Sequence, residues 1–146
     1  MGTLGLIKGT EAPIPSPNTT PNAVTVQREL SELKNEGYEY VAMEMSSHGL
    51  AQYRVGGVKV NVAGFTNLTR DHLDYHKTFE NYLAAKMILF TELLEKGGAA
   101  VLNADIEVYD RLKENCLRCG KRVISYGYNG KDIKLLKATP QTHGQK

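Results

Sequence analysis

The chain alternates short apolar runs with amphipathic segments of helical period, and this alternation constrains its fold more than any other feature. The runs YEYVAMEM, KVNVAGF, AAVLN and KRVISYG each predict a strand, and a shorter one is predicted at Leu4 to Lys8. Helices are predicted from about Thr20 to Gly37, from about Thr78 to Glu95, and from Asp105 to Leu117. Such alternation is typical of an α/β fold, so we predict a mainly parallel sheet flanked by helices.

The two ends of the chain indicate a piece of a longer domain. The sequence opens on MGTLGLIKG, which is typical of a strand already under way, and ends in KATPQTHGQK without a predicted closing element. We therefore expect residues 1–130 to form part of one α/β domain and residues 131–146 to be a tail leading to a missing remainder. Sheet edges exposed in such a piece favour self-association.

Composition excludes several classes of function. A net charge of +2 without a basic cluster gives no reason to expect nucleic-acid binding. No apolar run approaches the roughly 20 residues that span a bilayer, and the N-terminus lacks a signal peptide, so we expect no membrane partner and a cytoplasmic location. Cys116 and Cys119 form an isolated C-x-x-C within a predicted helix, which we interpret as reduced cysteines without a metal or redox role.

Polar residues gather where the predicted strands end, which is the edge where parallel sheets bind ligands. Asn18 to Thr20 stand at a helix entrance, where they either bind an anion or simply cap the helix through Thr20. Glu44 interrupts an apolar run and is expected to be buried, either facing the ligand crevice or forming a structural salt bridge. Ser46, Ser47 and His48 give little support for a hydrolase, because no G-x-S-x-G elbow is present.

The stretch TNLTRDHLDYH follows another predicted strand and places His72 four residues before His76. Two histidines at this spacing share a helix face, as in zinc sites of the H-E-x-x-H type, but the glutamate base is missing here. A loop that presents one histidine to a metal is the simpler reading. Ordinary hydrogen-bonding and capping roles remain the alternative.

Lys86 occupies a position in the apolar stripe of the helix that begins near Thr78. The stripe contains Phe79, Leu83, Phe90 and Leu93, and Lys86 falls between its two halves. Burial would lower the lysine pKa and make a neutral, nucleophilic amine accessible. The alternative is a stem that packs on the core and extends its ammonium to the surface.

Five motifs in order resemble the Mur ligases, ATP-dependent amide-forming enzymes of peptidoglycan synthesis and cell-wall growth. They are NTTP, MEMSSHGLAQYRV, FTNLTRDHLDYH, YLAAKMILF and VLNAD. The branch most similar adds the third residue of the stem peptide, lysine or meso-diaminopimelate, to UDP-MurNAc-L-Ala-D-Glu. The resemblance implies a central ATPase-like α/β domain in which the substrate carboxylate attacks the γ-phosphate of ATP. An acyl phosphate forms, and the incoming amine then displaces phosphate.

The resemblance also implies roles for individual residues. Glu44 and His72 are implied as Mg²⁺ ligands, and Lys86 as a lysine that CO₂ converts to a carbamate, so that it becomes an anion able to hold a metal. Lys86 and His72 are the implied catalytic residues. The implied binders of the UDP-linked muramoyl dipeptide are Asn18, Thr19, Thr20, Ser46, Gln52 and Arg54. Asp74 and His76 are assigned only to loop structure, and His48 to packing.

One departure from the family pattern bears on activity. No G-K-[ST] sequence occurs in the chain, so the phosphate-binding loop of the family is absent from it. We therefore expect these 146 residues alone to be inactive as a ligase. Three alternatives remain: a folylpolyglutamate synthase-like ligase, a non-catalytic binding domain without an ATP loop, and a zinc-dependent hydrolase.

Overall fold

A computed structural model describes residues 1–68, 73–141 and 144–145. The chain divides into two compact units, each formed by two segments. The first unit comprises Met1–Val58 and His72–Leu89, and the second comprises Lys59–Asp71 and Phe90–Lys146.

The named elements in the described part of the first unit are four helices, α1 (Ala23–Asn35), α2 (Ser47–Ala51), α3 (Leu73–His76) and α4 (Phe79–Ile88). Helix α1 begins after Asn22, whose side chain accepts a hydrogen bond from the Thr25 N–H. Val26 and Leu33 are its buried residues, as the apolar stripe predicts. The expected cap at Thr20 is wrong, because the helix begins later in the chain. Helix α4 is capped by Thr78, where the sequence places its start.

The second unit is built on a parallel sheet in the order β1-β2-β3-β4. Its elements are β1 (Val60–Phe65), β2 (Leu94–Asn103), α5 (Tyr109–Arg118), β3 (Arg122–Gly127), β4 (Ile133–Lys134), and a small antiparallel pair, β5 (Pro140–Gln141) and β6 (Gly144–Gln145). Helix α5 packs on β2 and β3. Leu102, Leu112 and Cys116 are wholly buried in this unit. The α/β class and the parallel sheet are confirmed.

Residues 38–45 correct one strand prediction, because YEYVAMEM forms no strand. Tyr40 is 89% exposed and Val41 is 45% exposed, so this run is not buried on both faces. A strand requires a neighbour along its length, and here the described pairing with another segment is confined to Met1, whose carbonyl accepts from the Glu44 N–H and whose amino group donates to the Ala42 carbonyl. The strand predicted at Leu4 to Lys8 is reduced to a bridge between Leu6 and Ile14.

The long helix predicted to Glu95 ends earlier than expected. Helix α4 stops at Ile88, a π-helical turn covers Leu89–Leu93, and the KGG sequence lies inside β2. Strand β2 bulges there, between its pairing with Val60 and its pairing with Val62. A Cβ at Gly98 would lie 2.9 Å from the Asn61 carbonyl oxygen, so glycine is needed for this close approach.

The last predicted helix begins late, at Tyr109 rather than Asp105. The Asp105 carboxylate instead accepts hydrogen bonds from the N–H groups of Tyr128 and Asn129, at 2.7 and 2.8 Å. Asp105 therefore fixes the turn after β3 in place of starting a helix.

Candidate active site

The Glu44 carboxylate is held by a turn at residues 2–5. Its Oε2 accepts hydrogen bonds from the Thr3 N–H at 2.8 Å and from the Thr3 hydroxyl at 2.7 Å. The Thr3 hydroxyl, and then the Thr3 N–H, lower the pKa of this carboxyl. Glu44 is exposed, which corrects the expectation of a buried carboxylate. It lines a pocket of about 320 Å³ together with residues 1–5, Ile7, Ala42 and Met43.

Thr20 contacts the backbone on both sides of Met45, next to the Glu44 carboxylate. Its side chain is wholly buried, and its hydroxyl donates to the Glu44 carbonyl at 3.1 Å and accepts from the Ser46 N–H at 2.9 Å. Ser46 in turn caps α2 by accepting from the Gly49 N–H at 3.1 Å. The Thr20 hydroxyl is thus engaged by backbone, and it fixes the position from which Glu44 and Ser46 project.

Arg54 and Gln52 form a second branch of this network. The Arg54 guanidinium donates to the Thr20 carbonyl at 3.0 Å and to the Gln52 side-chain oxygen at 2.9 Å. The Gln52 amide donates to the Tyr75 hydroxyl at 3.0 Å. Two of the residues implied to bind substrate, Thr20 and Gln52, are therefore linked through a third, Arg54.

His76 is buried under this branch. Its Nε2 lies 2.9 Å from the Ser47 hydroxyl, and its ring stacks on Tyr82 with centroids 5.1 Å apart. His48 packs on Tyr75 at 4.2 Å between ring centroids. Ser47 is 2% exposed, so this Ser–His pair is closed to substrate and gives no support to a hydrolase. These contacts agree with the structural roles given to His48 and His76.

Lys86 lies on α4 beside these rings. Its Nζ is 5.3 Å from the centroid of the Tyr82 ring, close enough for a cation–π contact. The side chain is half-buried, and burial lowers the lysine pKa. Leu83, Phe90 and Leu93 of the predicted stripe are buried, while Phe79 is half-buried like Lys86. The structure thus partly agrees with both interpretations of Lys86. Its amine is desolvated enough for a lowered pKa, but its side chain is not fully enclosed and still reaches the surface.

The remaining predicted residues differ in how closely they join this site. Thr19 joins it through its hydroxyl, 3.1 Å from that of Thr3. Asn18 is exposed, and its backbone carbonyl accepts from the Ser16 hydroxyl at 2.8 Å. His72 lies outside the described residues. Sequence reasoning missed Thr3 and Tyr75, because single hydroxyls in a turn and in the short helix α3 carry no pattern that marks them.

The described side chains of this site supply some, but not all, of the ligands that a hard divalent cation needs. Carboxylate oxygens are the ligands that Mg²⁺ prefers, and Glu44 supplies an ionised one at the wall of a pocket. Within residues 1–68 and 73–141, no three His, Cys, Asp or Glu side chains come close enough to hold a metal by themselves. A cation here would therefore need ligands beyond these.

Comparison with known proteins decides the family. The model of the Mur ligase middle domain matches residues 1–146. The chain belongs to the Mur ligase family. Among curated relatives, a UDP-N-acetylmuramoyl-L-alanyl-D-glutamate--2,6-diaminopimelate ligase of Anaplasma marginale is 48% identical over 99% of this chain. Ligases of the same name from Bradyrhizobium diazoefficiens and Caulobacter vibrioides are 45% and 42% identical, over 89% and 99% of the chain.

The chain spans 27 to 31% of the length of these three ligases. The match to a Mur ligase middle domain confirms the resemblance drawn from five motifs. No helix in the described part of the chain is long and apolar enough to cross a membrane.

Proposed function

We propose that the chain is the central part of an ATP-dependent Mur ligase that joins diaminopimelate to UDP-MurNAc-L-Ala-D-Glu. The observation that carries this proposal is the 48% identity, across 99% of the chain, to an enzyme of that name. Diaminopimelate is preferred to lysine because the relatives are named for it. The same names do not favour a folylpolyglutamate synthase. ATP, Mg²⁺ and a cytoplasmic location belong to the proposal.

The network around Thr20 supports a role in holding the muramoyl dipeptide. Arg54 offers a planar cation that suits a carboxylate or phosphate, and it is oriented by the Thr20 carbonyl and the Gln52 side chain. Ser46, Thr19 and Asn18 complete the proposed binding residues. In this arrangement Thr20 acts through its bonds to the backbone of Glu44 and Ser46, which set the position of the other groups.

Glu44, His72 and Lys86 are the proposed ligands of the metal. When bound, Mg²⁺ would neutralise the phosphate oxygens of ATP, which otherwise repel the attacking carboxylate. Glu44 fits this role because its carboxylate is ionised and fixed by Thr3. The half-buried Lys86 amine has a lowered pKa, so more of it is in the neutral form that reacts with CO₂.

The proposal is tested on the product of the complete reading frame that contains residues 1–146. ADP release is measured with UDP-MurNAc-L-Ala-D-Glu and either diaminopimelate or lysine. We expect release that requires the dipeptide and diaminopimelate, and a loss of about 100-fold or more in Glu44→Gln. A folded product that releases no ADP under these conditions would contradict the ligase assignment.

Lys86 has its own matched control. Lys86→Arg keeps the positive charge and the long stem but cannot form a carbamate. After incubation with ¹³C-bicarbonate, we expect a carbamate carbon signal in the native protein that is missing in Lys86→Arg. Equal signals in the two proteins would place the label elsewhere and remove Lys86 from the proposed metal ligands.

A further inference from the structure

We propose that Thr3 is a positioning residue that orients Glu44 for the cation and fixes the direction of the Thr19 hydroxyl. The inference rests on the proposed function, in which Glu44 binds the metal and Thr19 contacts the muramoyl dipeptide. Neither the family match nor the motifs assign a role to Thr3.

Two hydrogen bonds from Thr3 orient the Glu44 carboxylate. Both hydrogen bonds from Thr3 reach the same oxygen of Glu44, Oε2, at 2.8 Å from the backbone N–H and 2.7 Å from the hydroxyl. A second bond to one oxygen stops rotation of the carboxylate, which a single bond would allow. We therefore assign Oε1 as the oxygen that faces the cation.

The turn at residues 2–5 is shaped for this contact. The backbones of Gly2 and Gly5 exchange hydrogen bonds at 3.1 and 2.8 Å, and the Glu44 N–H donates to the Met1 carbonyl at 3.0 Å. A Cβ at Gly2 would lie 2.7 Å from the Glu44 carboxylate carbon. Gly5 has a φ of +93°, which side-chain-bearing residues rarely adopt. Both glycines therefore allow the turn to approach the carboxylate closely.

The direction of each proton gives the second step. An ionised carboxylate only accepts, so the Thr3 hydroxyl must donate its single proton to Glu44. In the 3.1 Å contact between Thr3 and Thr19, Thr3 is then the acceptor and Thr19 the donor. The Thr19 hydroxyl therefore donates its proton to a partner within the protein. Towards a ligand it can only accept hydrogen bonds. Its partner on the substrate must be an N–H or O–H group and not a phosphate oxygen.

The test adds Mn²⁺, a paramagnetic substitute for Mg²⁺, to the product of the complete reading frame that contains residues 1–146. Broadening of amide NMR signals from residues 2–5 and 43–45 is followed as Mn²⁺ is added. We expect Thr3→Val to weaken Mn²⁺ binding about tenfold, the size typical for a residue that orients a metal ligand. Thr3→Ser keeps the hydroxyl and should bind within about twofold of the native chain, since only a methyl group is lost.

Glu44→Gln separates this inference from the proposed function. If the native chain shows no broadening that Glu44→Gln removes, the metal role of Glu44 fails and the inference fails with it. If Glu44→Gln loses binding but Thr3→Val binds like the native chain, only the role of Thr3 is overturned. Thr3 is exposed, so its variants should remain folded, which thermal unfolding checks.

A second variant tests the coupling to Thr19. Thr19→Val removes the donor to Thr3, so we expect a smaller loss of Mn²⁺ binding than in Thr3→Val. The double variant should bind like Thr3→Val alone, because the two hydroxyls act in one chain of bonds. Losses that simply add would overturn the coupling, and this comparison stands even if Thr3→Ser fails to restore binding.

Discussion

Replacing Thr20 by Val should loosen the segment that carries the proposed metal and substrate groups. The change keeps the shape of the side chain and removes the hydroxyl, which donates to the Glu44 carbonyl and accepts from the Ser46 N–H. A buried group left without a partner costs about 1–3 kcal/mol. Ser46 is half-buried and the carbonyl has a second lone pair, so we expect about 2 kcal/mol for the whole change.

Thr20→Ser is the matched control for this change. It keeps both hydrogen bonds and removes one methyl group, which costs about 1 kcal/mol in a buried position. That methyl is closely packed, since a Cβ at Gly49 would lie 2.6 Å from it. The valine variant should therefore be the less stable of the two, even though it is the larger.

Amide hydrogen exchange at Leu50 measures the effect locally. The Leu50 N–H donates to the Ser46 carbonyl at 2.9 Å, in the first turn of α2. A local measurement is preferable to a global melting temperature, because the chain divides into two compact units that need not unfold together. A loss of 2 kcal/mol corresponds to exchange about 30-fold faster in Thr20→Val. Equal exchange in the valine and serine variants would refute the reasoning.

Three further predictions concern other parts of the chain. Asn22→Ala should destabilise α1 by about 1 kcal/mol, while Asn22→Asp should stay close to native, since only alanine lacks the capping oxygen. Amide hydrogen exchange within α1 measures both variants, and equal losses would contradict this cap. Iodoacetamide should label the exposed Cys119 first by mass spectrometry, because Cys116 is buried and its thiol has a pKa raised to about 11. Hydrogen bonds from the Ser125 hydroxyl and N–H lower the pKa of the Asp132 carboxyl. They therefore stabilise the segment between Ser125 and Asp132 above pH 3.8, and this stabilisation is lost as the pH falls through the lowered pKa. Amide exchange at Lys131 should then quicken in acid in the native chain but not in Asp132→Asn.

Sequence reasoning succeeded where burial is periodic. Strands β1 and β3, the second half of β2 and the buried positions Val26 and Leu33 of α1 all follow from apolar patterns. Lys86 was singled out because it breaks such a pattern, and it is half-buried as a residue on that face should be. Local chemistry also sufficed for the Thr78 cap, where a hydroxyl meets the start of an apolar helix.

Sequence reasoning failed where a contact partner lies far along the chain. The run at residues 38–45 has the composition of a buried strand, but a strand forms only where another segment completes its hydrogen bonds. The cap of α1 moved from Thr20 to Asn22 because the Thr20 hydroxyl is engaged by Glu44 and Ser46, 24 and 26 residues away. Asp105 does not start the predicted helix, because its carboxylate accepts hydrogen bonds from backbone N–H groups 23 and 24 residues later.

The sequence alone determined the α/β class and the family, and it nominated most of the candidate site residues, because periodicity and short motifs are properties of neighbouring residues. Only the tertiary structure decided how those residues are linked. It showed that Thr3 holds Glu44, that Arg54 is oriented by Thr20 and Gln52, and that Ser47 is closed off by His76. Hydrogen bonds and burial depend on distances between segments remote in the chain, and these distances exist only in the folded molecule.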